Sequence, residues 1–158
     1  MDSAVFIIDD EEIICKSLEA VFRRHGIETM YETNPLEALR RYELRNYNVV
    51  LVDVLMPQMK GSEVIARLKR MNPMCNIIVM TAFSNMTHVI ECVEAGAADY
   101  ITKPFSDVEL LMHVVGCALE RVSRWRRSFG LEPKGTGAGP VSEKPTANEE
   151  GQPGRRSG

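Results

Sequence analysis

The chain has 158 residues, 44% hydrophobic and 26% charged, with a formal net charge of -3 and a pI near 5.7. That length suits one packed core and is short for two, and the acidic balance gives no broad basic footprint for a direct nucleic-acid partner. The longest apolar runs, residues 4–8 and 49–52, fall far below the ~20 residues a membrane helix needs, so no membrane partner is expected.

Nor does the N-terminus read as a signal peptide, because no basic n-region precedes Asp9 and Asp10. Short Val- and Ile-rich runs alternate with longer helical stretches, the signature of βα units building a parallel sheet. The first strand, residues 4–8, leads into Asp9-Asp10, and Gly26 sits where the helix after it should stop. The second strand, 28–31, precedes Asn34-Pro35-Leu36-Glu37, which places an N-cap, an N1 proline and an N3 glutamate in register. The third strand, 49–52, runs into Asp53, and Asn72-Pro73 ends the helix that follows. The fourth, 77–80, leads to Thr81-Ala82, with Gly96 closing the next helix. The fifth, 99–101, comes shortly before Lys103, and Ser106-Asp107-Val108-Glu109 repeats the capping box ahead of the last helix.

These signals predict an α/β domain with a five-stranded parallel sheet in the order 2-1-3-4-5 and helices on both faces. Residues 1–129 form the domain, with an extended last helix carrying an apolar stripe at Leu111, Val115, Ala118, Val122, Trp125 and Phe129. Residues 130–158 are rich in Gly, Pro, Ser, Glu and Lys and are expected to be a disordered tail, with no second folded domain. Four widely spaced cysteines, Cys15, Cys75, Cys92 and Cys117, form no C-x-x-C pair and have no histidine at metal-binding spacing, so they read as reduced, mostly buried packing residues of a cytoplasmic protein. His25, His88 and His113 lack partners of any chemical type in the sequence and read as surface or packing histidines.

In a doubly wound sheet the working residues lie at the carboxyl ends of the strands. Asp9, Asp10, Asp53, Thr81 and Lys103 all fall there. Adjacent first and third strands bring three carboxylates together across about 5 Å, where mutual repulsion raises their pKa values unless a cation sits among them. A hard, oxygen-seeking ion is implied, and magnesium fits best. Lys103, roughly 10 Å away along the sheet by strand spacing, has a stem long enough to lean over the site.

Asp9-Asp10, Asp53 in Val-Asp-Val-Leu-Met-Pro-Gln-Met-Lys-Gly, Thr81-Ala82 and Lys103-Pro104-Phe105 together resemble the receiver domains of two-component response regulators, over about residues 4–120 and in correct order. The resemblance implies a flavodoxin-like, chemotaxis-regulator-like phosphorelay switch. In it Asp53 is the phosphoacceptor and attacks a phosphohistidine of a sensor histidine kinase or phosphotransfer protein. Asp10 and Asp53 bind Mg2+ with the backbone carbonyl of Leu55, and Asp9 binds largely through water. Thr81 and Lys103 contact phosphoryl oxygens, Ala82 leaves the phosphate approachable, and Pro104 follows a cis bond. Thr81 and Tyr100 act as the switch that reshapes the face of helix four, strand five and helix five.

Leu55 and Phe83 are apolar where many receivers place polar groups, so slow self-dephosphorylation is expected. Leu55 also stands where haloacid-dehalogenase-type phosphatases need a second aspartate, so the reading is a signalling domain rather than an enzyme. No Ser/Thr/Gly-rich phosphate loop for a flavin follows strand one, and a contact-only pseudo-receiver would ordinarily lack one of the acids or the lysine. The stripe of the last helix, flanked by Arg121, Arg124, Arg126 and Arg127, suggests a homodimer through the last two helices.

Overall fold

A computed structural model describes residues 4–130 apart from residue 46. Five parallel strands, β1 (Ala4–Ile8), β2 (Glu28–Glu32), β3 (Val49–Asp53), β4 (Asn76–Ala82) and β5 (Asp99–Lys103), lie in the order β2-β1-β3-β4-β5. Helices α1 (Glu12–Arg24), α2 (Pro35–Leu44), α3 (Gly61–Met71), α4 (Met86–Glu94) and α5 (Val108–Ser128) connect and cover them.

The central strands β1 and β3 are buried at every residue, as strands roofed by helices on both faces must be. Alternation along them divides the core in two. Phe6, Ile8, Val50, Val52, Ile77 and Val79 pack beneath Leu39, Val64, Leu68 and Cys92 of α2, α3 and α4. Val5, Ile7, Leu51, Ile78 and Met80 face the other way, onto Leu18 and Phe22 of α1 and Leu111, Val115 and Ala118 of α5. Edge strands β2 and β5 are largely open to solvent, so the sheet's best-anchored end is its middle, where β1 and β3 end.

Helix ends follow local chemistry with two departures from the sequence reading. Asn34 caps α2 through Oδ1, which accepts the N–H groups of Leu36 and Glu37 at 2.9 and 3.3 Å. Glu37 does not close the box. Its carboxylate pairs with Arg40 at 3.2 Å, while Glu32 accepts the Asn34 N–H at 3.1 Å. The cap of α5 is Asp107, whose Oδ1 accepts the Leu110 N–H at 2.9 Å, rather than Ser106 one residue earlier. A carboxylate is the stronger acceptor and suits the positive end of the helix dipole. Gly26 ends α1 at φ 73, and the Ile27 N–H bonds back to the Phe22 carbonyl at 3.0 Å.

Gly61 fixes the loop that carries the end of β3. Its N–H donates to the Val54 carbonyl at 2.9 Å, and a β-carbon there would run into the Asp53 carbonyl oxygen. Gly61→Ala is therefore expected to destabilise the domain by about 2 kcal/mol or more, because backbone must shift rather than a flexible side chain. Urea unfolding checks it.

β1 has the expected bounds and the other four strands run one or two residues past the sequence reading, so Asp53, Thr81 and Lys103 belong to the sheet itself. The last helix does continue to Ser128, and Val122 packs against the core. Trp125 and Phe129 leave it. They stack on each other, with centroids 5.7 Å apart and planes 9° apart, beside Asn72 and Met74. The expected tail from residue 131 onward lies outside the described residues. Among the described residues no helix is long and apolar enough to cross a membrane.

Candidate functional site

Pairing of Ile8 with Val52 sets Asp9, the next residue after β1, beside Asp53 at the end of β3. Asp53 pairs with Met80 on β4, and Ala82 pairs with Lys103 on β5, so Thr81 and Lys103 flank the same end of the sheet. Carboxylate oxygens of Asp9, Asp10 and Asp53 all lie within 4.8 Å of one another. The lysine stem spans β4, placing Nζ 3.1 Å from Asp53 Oδ1, 2.7 Å from Asp9 Oδ2 and 3.3 Å from Glu11 Oε1.

Asp9 is completely buried, Asp53 nearly so, and Asp10 is exposed at the mouth. Asp9 Oδ1 accepts the Glu11 N–H at 2.9 Å, which fixes the carboxylate at the start of α1. The Cys15 thiol donates to the Asp9 carbonyl at 3.3 Å from one turn further along. Asp9 Oδ2 touches the ammonium but is approached outside hydrogen-bonding geometry, so it is buried with no hydrogen bond. Such an oxygen still has capacity for a further cation.

The electrostatics are those of a pocket with too many acids. Burial, and then the charge of Asp9, push Asp53 up to about 6 despite the nearby ammonium. Burial also raises Asp9, against the opposing pull of Lys103 and the Glu11 N–H. For Lys103 burial acts the other way, yet close contact with the Asp9 carboxylate and the charges of Asp53 and Asp9 outweigh it and hold its pKa above the usual lysine value. The Cys15 thiol, buried beside Asp9, is pushed up to about 12 and stays protonated as a packing group. One ammonium does not neutralise two buried carboxylates with Asp10 and Glu11 alongside, and the all-oxygen donor set fits a hard divalent ion.

The remaining predicted residues sit around this centre. Thr81 is fully buried and its hydroxyl donates to the Ala82 carbonyl at 3.1 Å. Leu55, 40% exposed, follows Asp53 by two residues at the rim, in a bridge to Lys60. The Lys103-Pro104 peptide is cis. Tyr100 lies on β5 and is 45% exposed.

Two sets of contacts escaped the sequence reading. Glu11 shares Lys103, a role signalled only by its place in the run Asp9-Asp10-Glu11. The histidines do have neighbours: His25 Nδ1 lies 2.8 Å from the Val21 carbonyl, His88 3.7 Å from Glu91, and His113 Nε2 3.8 Å from Cys117 Sγ. All three contacts span three or four residues of a helix, a spacing visible in the sequence.

A parallel sheet of this order with an acidic, lysine-bridged pocket at its carboxyl end defines a class of α/β signalling domain, and comparison with known proteins agrees. The family model for the response regulator receiver domain matches residues 5–115. The chain belongs to the response regulator receiver domain family of two-component systems. It is 33% identical over 125 residues to the chemotaxis protein CheY of Thermotoga maritima, covering 78% of this chain and 100% of that one. It is 37% identical over 128 residues to a cyclic di-GMP phosphodiesterase of the same organism, covering 81% of this chain and 34% of the relative. The transcriptional regulatory protein ZraR of Klebsiella oxytoca is 32% identical over 100 residues, 63% of this chain and 23% of that protein. The chain thus spans only about a quarter to a third of the latter two relatives. Among solved structures, the receiver domain of the Francisella response regulator 1452 superimposes with a TM-score of 0.67 at 30% identity, covering 75% of this chain and 97% of that one. A CheY-like receiver protein of Methanospirillum hungatei JF-1 gives a TM-score of 0.71 at 24% identity over 78% and 99% of the two chains, a likeness of fold alone.

Proposed function

We propose that this receiver accepts a phosphoryl group on Asp53 from the phosphohistidine of a sensor kinase or phosphotransfer protein, in a magnesium-dependent reaction. The observation that carries this is the gathering of Asp9, Asp10 and Asp53 within 4.8 Å, with Lys103 Nζ 3.1 Å from the Asp53 carboxylate. An Asp53 oxygen forms the new bond to phosphorus as the phosphorus–nitrogen bond breaks, and the donor imidazole keeps the electron pair and takes a proton. Asp10, Asp53 and the Leu55 carbonyl would hold magnesium, with Asp9 acting through water. The bound ion supplies positive charge toward phosphoryl oxygens.

Lys103 is already placed to pair with a phosphoryl oxygen on Asp53, and Thr81 reaches another by releasing the Ala82 carbonyl. Small Ala82 leaves the approach open. Phosphorylation adds close to two charges and three acceptor oxygens, which favours the conformer with Thr81 drawn in and Tyr100 turned inward. The exposed Tyr100 of this structure is then taken as the resting state. Exposed Ile90, Val93, Tyr100 and Leu110 give the α4, β5 and α5 face the apolar character of an output surface. A homodimer through the last two helices belongs to this reading, and light scattering that shows a monomer with and without a phosphoryl mimic would remove it.

Intact-protein mass measurement after exposure to a small phosphodonor tests the proposal. One phosphoryl group should be gained with magnesium, none with chelator, and none in Asp53→Ala; an unmodified wild-type chain in magnesium overturns it.

Leu55 and Phe83 lack groups that orient an attacking water, so the aspartyl phosphate should persist for minutes or longer after the donor is removed, and Leu55→Asn should shorten its life. Decay within seconds in the wild type counts against this role for the two residues.

A further inference from the structure

The solvent side of α5 carries a feature that the Asp53 site does not use. Three of the four cysteines are buried, and Cys117 is exposed. His113 stands one turn before it, also exposed, and Nε2 lies 3.8 Å from the sulfur. With Zn–S near 2.3 Å and Zn–N near 2.0 Å, a tetrahedral ion needs these two donors about 3.5 Å apart. The pair is therefore within a few tenths of an ångström of chelating geometry before any ion arrives.

Two donors fill half a tetrahedron. The charge pattern of α5 indicates where the other half comes from. Asp107 caps it and Glu109 lies in its first turn, while Arg124 and Arg127 are exposed near its end, with exposed Glu120 ahead of them. Two such helices side by side in antiparallel sense oppose acids to bases at both ends. A two-fold axis level with residue 115 sets His113 opposite Cys117 of the partner subunit. We propose that His113 and Cys117 form half of a zinc-type site, closed as Cys2His2 by a second copy of this chain packed antiparallel along the exposed side of α5. The thiol gives up its proton to solvent as the metal–sulfur bond forms, and no redox change is involved. Val115 points into the core, so this surface is opposite the face of α5 that packs on the sheet and shares no residue with the Asp53 pocket.

The test uses the full chain, reduced and stripped of metal, titrated with cobalt(II) and then zinc in excess magnesium, which saturates the acidic pocket. Cobalt should produce thiolate-to-metal charge-transfer absorption saturating at one ion per two chains, and sedimentation of the unphosphorylated chain should show added dimer that forms with the metal and is lost on chelation. Cys117→Ser should abolish both. His113→Ala should weaken binding roughly tenfold or more, since even losing a residue that only orients a ligand costs 10- to 100-fold. Asp53→Asn should change neither readout, which separates this site from the phosphoacceptor. No thiolate band, a band that survives in Cys117→Ser, or a monomer at saturation overturns the proposal.

Discussion

Lys103→Met should slow phosphoryl uptake from a small donor by about 10²–10³, the usual effect of removing one positioned charge or donor from a developing oxyanion. The same substitution should destabilise the metal-free domain by roughly 3 kcal/mol, because removing one partner of a buried pair leaves the other uncompensated. Its ammonium contacts Asp9 at 2.7 Å and Asp53 at 3.1 Å, both with little or no exposure, and methionine fills the stem's volume without the charge. Magnesium should recover part of the lost stability, since a divalent ion restores positive charge to the same acids. Melting temperature against magnesium concentration should therefore rise more steeply in the variant than in the wild type. Equal slopes would mean that the ion and the ammonium do not share the pocket.

How much of this was legible in the sequence depends on the range of the interaction. β1, β3 and β4 announce themselves as apolar runs because burial on both faces leaves little room for polar side chains. The strand order followed from right-handed connections, and with it the meeting of Asp9 with Asp53. Lys103 could be placed over the pocket by stem length alone. What the sequence left open was decided by side-chain competition at short range. Glu37 pairs with Arg40 while Glu32 takes the Asn34 N–H, and Asp107 outcompeted Ser106 as a cap. Trp125 and Phe129 continue the periodic stripe in sequence, but α5 has by then outrun the sheet, so periodicity alone could not show that they stack on each other. His113 and Cys117 are four residues apart, a spacing that was there to be read, yet the sequence reading found no histidine at metal-binding spacing and took the cysteines for buried packing groups, because exposure of Cys117 is not written in its spacing.

Asp53→Asn should have the opposite sign from Lys103→Met and make the metal-free domain more stable at neutral pH. With its pKa raised from 3.8 to about 6, Asp53 remains protonated in the folded chain at pH values where the unfolded chain has already ionised. A raised acid pKa means that stability from this group is present below about 4 and is lost as pH rises toward 6. Above that, the folded chain carries the full cost of an ionised carboxylate beside Asp9. Two pKa units correspond to about 3 kcal/mol, and asparagine, which has the same shape and no charge, should recover roughly 1–3 kcal/mol of it. Urea unfolding in chelator should show the gain at pH 7.5 and show it vanish near pH 4, where both side chains are neutral. Saturating magnesium should cancel or reverse the gain at pH 7.5, because the ion turns the repelled carboxylate into a ligand. A gain that is independent of pH and metal would place its origin in packing, and would remove the claim that this pocket holds more negative charge than its lysine can offset.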